Sequence, residues 1–261
     1  MKRTRSSPEI FFAVIRALIL REAALRIAGG RLSWFWLLME PIAHLALFVA
    51  LFGFILQRLI PGTDPAIFIA IGLIGYFTFQ RTATQVKVGI SANLALFSYR
   101  QVKVLDTLLA RALVELVLML LTSGILFAAL AMIGRNVIPD NPLLVLGSLA
   151  VMWLTGLGFG LILSVVSTLS EDAGKVVDLI MRPLYFVSGV MYPILSIQQP
   201  YRDMLLLNPL VHGIEMLRHG FFPRYSSPPS IDLSYLALWA LAMIFVGLLL
   251  QRRFSQRLVT L

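Results

Sequence analysis

Apolar residues in this chain come in blocks, and polar residues collect between the blocks. Runs at about Ser33–Leu56, Ala66–Val86, Leu105–Ile133, Leu143–Thr168 and Leu233–Leu250 each approach the roughly 20 residues that cross about 30 Å of hydrocarbon. Each predicts a membrane helix. Pro183–Leu195 breaks the pattern, being about 13 residues long, interrupted by Gly189, with Pro193 near its end. Alone it is too short to span. It spans if it begins near Val176 and takes Asp178 and Arg182 partway in. Otherwise it enters and turns back, with its backbone covered by protein or lining a cavity. Residues 9–28 predict a helix lying on the membrane surface. Phe11, Val14, Leu18 and Leu25 share one face and Glu9 and Arg16 the other, although Arg21 and Glu22 fall near the apolar side. The expected fold is all-α and polytopic, a single domain over 1–261. Its interface helix is 9–28 and its membrane segments are 33–56, 66–86, 105–133, 143–168, 176–195 and 233–250.

Composition sharpens this picture. Apolar residues make up 59% of the chain and charged residues 13%, against about 45–50% and 25% in soluble domains. The net charge of +9 would suggest nucleic acid in a soluble protein. Here the cations flank apolar runs, as the loops on the cytoplasmic side of a membrane protein require, so no nucleic acid is expected. There is no cysteine, which removes disulfides, thiolate catalysis and Cys-based metal sites. Lys2, Arg3 and Arg5 resemble the start of a signal peptide, but Arg16, Arg21, Glu22 and Arg26 interrupt the apolar stretch that should follow. With the N-terminus in the cytoplasm and six crossings, Lys and Arg favour the inner side by roughly three to one. The outer side holds Arg58, Arg135, Arg202, Arg218 and Arg224. Both termini are then cytoplasmic, and Ser196–Asp232 is the main external segment.

Candidate chemistry is sparse. Gly174-Lys175 lacks the preceding glycine of a phosphate-binding loop, and Val176 stands where Ser or Thr should hold magnesium. Gly156 and Gly160 suit close helix packing. His212, Glu215 and His219 fall on one helical face. They read either as a ligand set or, more simply, as an exposed helix pairing Glu215 with His219, and no metal site is assigned. Glu40 and His44, one turn apart in the first span, either face a polar passage or leave Glu40 hydrated at the interface. Trp34, Trp36, Tyr185, Phe186 and Tyr192 either stack on passing sugar rings or form an interfacial belt.

These segments carry a resemblance. Arg-Leu-Ser-Trp-Phe-Trp-Leu-Leu-Met-Glu-Pro-Ile-Ala-His, from Arg31 to His44, resembles the first-span signature of type-two ABC export permeases. The stretch Leu96 to Arg111 resembles the loop and third-span entry of the capsular polysaccharide branch, as do Arg182 to Pro193 and Asn208 to His212. The Phe-x-Tyr-Arg and Asn-Pro-Leu-Val-His segments are similar to the group 2 (Kps-type) capsule exporters. The resemblance implies an inner-membrane permease of a bacterial cell, working as a homodimer with two copies of a separate ATPase. ATP and magnesium would bind that ATPase, and this chain would hold no cofactor. Residues 9–28 would be the interface helix, and Asn93, Leu96, Phe97 and Tyr99 would lie in the segment that touches the ATPase. Pro183–Leu195 would belong to a re-entrant periplasmic gate. The substrate would be a lipid-linked, usually acidic polysaccharide, passed to a periplasmic adaptor and an outer-membrane channel, with membrane lipids around it. Arg100, Lys103 and Arg182 could meet an anionic lipid head, or be ordinary cytoplasmic-side charge. With Trp34, Glu40, His44, Tyr185 and Tyr192 they make the candidate substrate path. Three other readings stay open: a permease for O-antigen or another lipid-linked polymer, a membrane-embedded enzyme acting on lipid-linked sugars, and a non-catalytic partner of a glycan synthase.

Overall fold

The computed structural model describes residues 7–28, 33–55, 63–99, 101–255 and 257–260, and these are helical with no strand among them. The helices are α1 (Ser7–Ile27), α2 (Ser33–Ile55), α3 (Pro65–Lys87), α4 (Val104–Met132), α5 (Pro142–Leu169), α6 (Glu171–Val187), α7 (Tyr201–Leu205), α8 (Pro209–Phe221), α9 (Leu233–Arg253) and α10 (Arg257–Thr260). A 3₁₀ turn spans Ser91–Ser98 and a shorter one Ile194–Ser196. Of the described helices, α3, α4, α5 and α9 are long and apolar enough to cross a membrane.

Local chemistry sets the helix starts. Asp64, Asn141 and Asn208 each precede a proline, and each accepts a backbone N–H of the following turn. The Asp64 carboxylate takes Ala66 N–H at 2.9 Å and Ile67 N–H at 3.3 Å. A side-chain acceptor at the cap followed by a ring with a fixed φ is a strong helix start. Ser170 and Asp232 cap α6 and α9 in the same way.

The core forms around α3 and α5, which pack together; α5 also lies against α9 and α8. Phe68, Leu73, Tyr76, Phe79, Met152, Leu210, Ile214 and Leu236 build the main apolar cluster. Val86, Ile90, Leu108, Leu157, Leu161 and Val165 build a second at the far end of α3. Gly156 and Gly160 let α5 reach the α3 backbone: a Cβ on Gly156 would stand 2.5 Å from the Phe79 carbonyl oxygen. That is the close packing their spacing suggested.

Two segments pack in ways the sequence did not show. Within Ser196–Asp232, α8 is folded into the core against α3 and α5. The apolar residues Leu210, Val211, Ile214 and Leu217 are what bury it. On α1, Leu18 and Glu22 face inward, with Glu22 paired to Arg111 of α4, while Phe11 and Leu25 are exposed.

Candidate functional site

Ionised side chains cluster at two levels along α3. Phe68 marks one level and Gln85 the other, about 25 Å apart at 1.5 Å per residue.

At the Gln85 level, five ionised groups from three helices interlock. Glu115 of α4 is fully buried, and each of its oxygens is used: Arg26 Nη1 donates at 2.6 Å and Arg81 Nε at 2.7 Å. Glu22 of α1 accepts from Arg111 Nε at 2.9 Å and from Arg26 Nε at 3.2 Å. Arg26 also donates to the Gln85 side chain at 3.1 Å. Arg21 extends the network to the 3₁₀ turn by donating to Asn93 Oδ1 at 2.8 Å, while Asn93 Nδ2 donates to the Gly89 carbonyl at 2.9 Å. A buried charge is tolerated only when paired and hydrogen-bonded, and Glu115 meets both conditions.

The predicted coupling residues divide on this scaffold. Asn93 is buried and holds the turn in place, and Phe97 is half-buried against the second apolar cluster. Leu94 and Tyr99 are exposed, and Leu96 lies between these extremes. The turn therefore presents Leu94, Ala95 and Tyr99 outward over a fixed base.

At the Phe68 level, the structure corrects the reading of His212, Glu215 and His219. Glu215 is not on an exposed face. It is fully buried and pairs with Arg218 at 2.8 Å, and Tyr225 donates its hydroxyl to both carboxylate oxygens. His219 points to the exposed side of α8. His212 Nδ1 accepts the Asp232 N–H at 3.0 Å, so Nε2 carries the proton donated to the Leu206 carbonyl at 2.9 Å. Both ring nitrogens are thus engaged. Arg218 is not an external loop charge either. It is fully buried, stacks on the Phe68 ring at 3.7 Å, and donates to the Val190 carbonyl at 2.6 Å and the Tyr192 carbonyl at 3.2 Å. That hold fixes the turn after α6 against α8. Helix α6 stops at Val187, Gly189 turns with φ +70°, and Val190 and Ile194 pack into the core.

The candidate path residues do not form one surface. His44 stacks on Phe48 at 4.9 Å and meets Phe77 edge-on at 5.2 Å. Tyr185 joins the same aromatic group, 6.0 Å from Phe48 and 5.2 Å from Tyr76. Tyr192 lies apart, beside Arg218, with its hydroxyl on the Phe186 carbonyl at 2.9 Å. Lys103 sits exposed at the start of α4, where Asp106 accepts its backbone N–H at 3.1 Å. Arg100 and the side chains of Trp34, Glu40 and Arg182 lie outside the described residues. Sequence reasoning missed the Glu22–Arg111–Glu115 cluster. Its one signal was the pair of charges that spoiled the apolar face of residues 9–28.

The model of the family described as "ABC-2 type transporter" matches residues 13–222. The chain belongs to the ABC-2 type transporter family. It is a transport subunit, and membership implies an ATPase partner. The chain is 35% identical to the polysialic acid transport protein KpsM of Escherichia coli, over 98% of this chain and 99% of that protein. It is 30% identical to the capsule polysaccharide export inner-membrane protein CtrC of Neisseria meningitidis serogroup A, over 93% and 91%. It is 27% identical to the like-named BexB of Haemophilus influenzae, over the same shares. In this ABC-2 chain the matched region takes in most of α1 and runs through α8, so both charge clusters lie within it except Tyr225.

Proposed function

We propose that this chain is the membrane-spanning subunit of an ATP-driven exporter that moves lipid-linked capsular polysaccharide across the bacterial inner membrane. The observation that carries the reading is near full-length similarity, in one family, to proteins named for polysialic acid transport and for capsule polysaccharide export. In this reading two copies pair with two copies of an ATPase, which alone binds ATP and magnesium. The exposed face of the Ser91–Ser98 turn, with Leu94 and Tyr99, is the surface the ATPase meets; its fixed base at Asn93 supports that role.

Helices α2, α3, α4, α5, α6 and α9 are the six membrane segments, with both termini in the cytoplasm and α1 along the inner surface. The turn after α6 together with α8 forms the re-entrant gate. Supporting this, α8 has 13 residues, about 20 Å of helix against about 30 Å of hydrocarbon, too short to cross yet buried in the core. A periplasmic adaptor and an outer-membrane channel receive the polymer. His44 and Tyr185 are the path residues that share one aromatic group, which suits contact with sugar rings.

The test is co-purification of the chain with a candidate ABC ATPase, then reconstitution in lipid vesicles. The expected result is ATP hydrolysis stimulated by the glycan-lipid and accompanied by its translocation. Stimulation by O-antigen lipid and not by capsular lipid would reassign the cargo. A purified single chain that turns over a lipid-linked sugar would overturn the permease reading.

A further inference from the structure

The cluster at Gln85 is more than an anchor for a surface helix needs. Such a helix is held by an apolar stripe with polar groups facing water. Here α1 turns Glu22 inward, and Arg26 reaches three acceptors on α1, α3 and α4. Buried ion pairs barely offset the cost of desolvating their charges, so net stabilisation does not explain the arrangement. Direction does. Apolar contact is non-directional and lets helices slide, whereas charge-assisted hydrogen bonds fix the register of the groups they join.

The bonds also connect the turn to α3 and α4, with the backbone of α1 as one link. From the exposed turn, Asn93 passes to Arg21 on α1; from α1, Glu22 passes to Arg111 and Arg26 to Glu115 on α4; from Glu115 the last link is Arg81 on α3. Glu115 has both oxygens committed to different helices, so α1 and α3 cannot shift apart without breaking one of its bonds.

We propose that Glu22 and Glu115 are positioning residues that make the 91–98 turn, α1 and the adjoining parts of α3 and α4 one rigid body. A push on the turn is thereby delivered to α3 and α4 and not absorbed by slippage of α1. This rests on the reading of the turn as the ATPase-facing surface.

The chain has no cysteine, so its own background needs no engineering for the test. Glu22→Gln and Glu115→Gln are compared with wild type in vesicles holding the ATPase complex, at equal amounts of assembled complex. Bound ATPase, ATP hydrolysis and glycan-lipid translocation are read separately. The expected result is retained ATPase and hydrolysis, with translocation per ATP falling on the order of tenfold, the effect of losing one charge-assisted hydrogen bond. A misfolding defect would lower the amount of complex and leave that ratio unchanged. Bridging Arg26→Cys to Glu115→Cys with a short bis-methanethiosulfonate linker, which forms a disulfide to each thiol and releases methanesulfinate, should raise the ratio above that of the unbridged double variant. The proposal is overturned if the ratio equals wild type in both glutamine variants, or if ATPase is lost in step with translocation. If Glu115→Gln does not accumulate, Glu22→Gln decides. A wild-type chain that neither binds ATPase nor translocates would sink the permease reading instead.

Discussion

Glu215 with Arg218, and Glu22 and Glu115 with their arginines, both bury carboxylates against guanidiniums, yet one closes on itself and the other spreads. The first is a local pair three residues apart on α8, sealed by Tyr225 and spent on two backbone carbonyls of the turn after α6. The second joins residues up to 89 positions apart and leaves Arg81 partly open, at 29% exposure. A local pair can pin one loop. A distributed one can fix several helices relative to each other. The difference teaches that equal chemistry serves different ends according to how many elements it crosses.

That contrast can be broken or sharpened by substitution. Arg218→Met should have the largest effect. It leaves Glu215 buried without its cation, a loss of about 3–5 kcal/mol, read as a fall in the melting temperature of the detergent-purified chain. Gly72→Ala comes next, because a Cβ there would press on the Val190 carbonyl and on Arg218. Overpacking of this kind costs about 1–3 kcal/mol; a melting point equal to wild type would show that the turn yields. Arg81→Gln should cost less, about 1 kcal/mol or under, since the group is partly solvated and Glu115 keeps Arg26. If it matched Arg218→Met, the two clusters would not differ in the way described.

The smallest effect concerns acid. Ser234 donates its hydroxyl and its backbone N–H to Asp232, which holds that carboxyl below the usual range. A lowered carboxyl stabilises the fold above its unfolded value, near about 3.9, and loses that contribution as pH falls through the folded value. Asp232→Asn, still a good cap, should therefore track wild type from neutral down to about pH 4. The two melting profiles should separate only below that.

Much of the fold was legible because hydrocarbon imposes length. The apolar runs ending in Lys87 and Arg252 read as helices by counting, and Pro65, Pro142 and Pro209 after Asp or Asn mark helix starts. What stayed hidden is non-local. Nothing in the sequence ties Glu22 to Arg111, so Glu22 looked like a flaw in an apolar face. Arg218 was assigned to solvent because external loops carry such residues, although Glu215 three positions earlier was a visible partner. The reading of an exposed helix pairing Glu215 with His219 erred because helical spacing places side chains on one face but does not show what else that face meets, here Arg218 and Tyr225 around Glu215.

Helix α5 is gripped from both flanks. Gly156 and Gly160 admit the backbone of α3, and Gly158 admits that of α9 at Ile244. Moving either neighbour along α5 by a single residue would drive main chain into a methyl-bearing carbon. These three helices therefore behave as a keel, and a cyclic change of shape swings the outlying α2 and α6 about it.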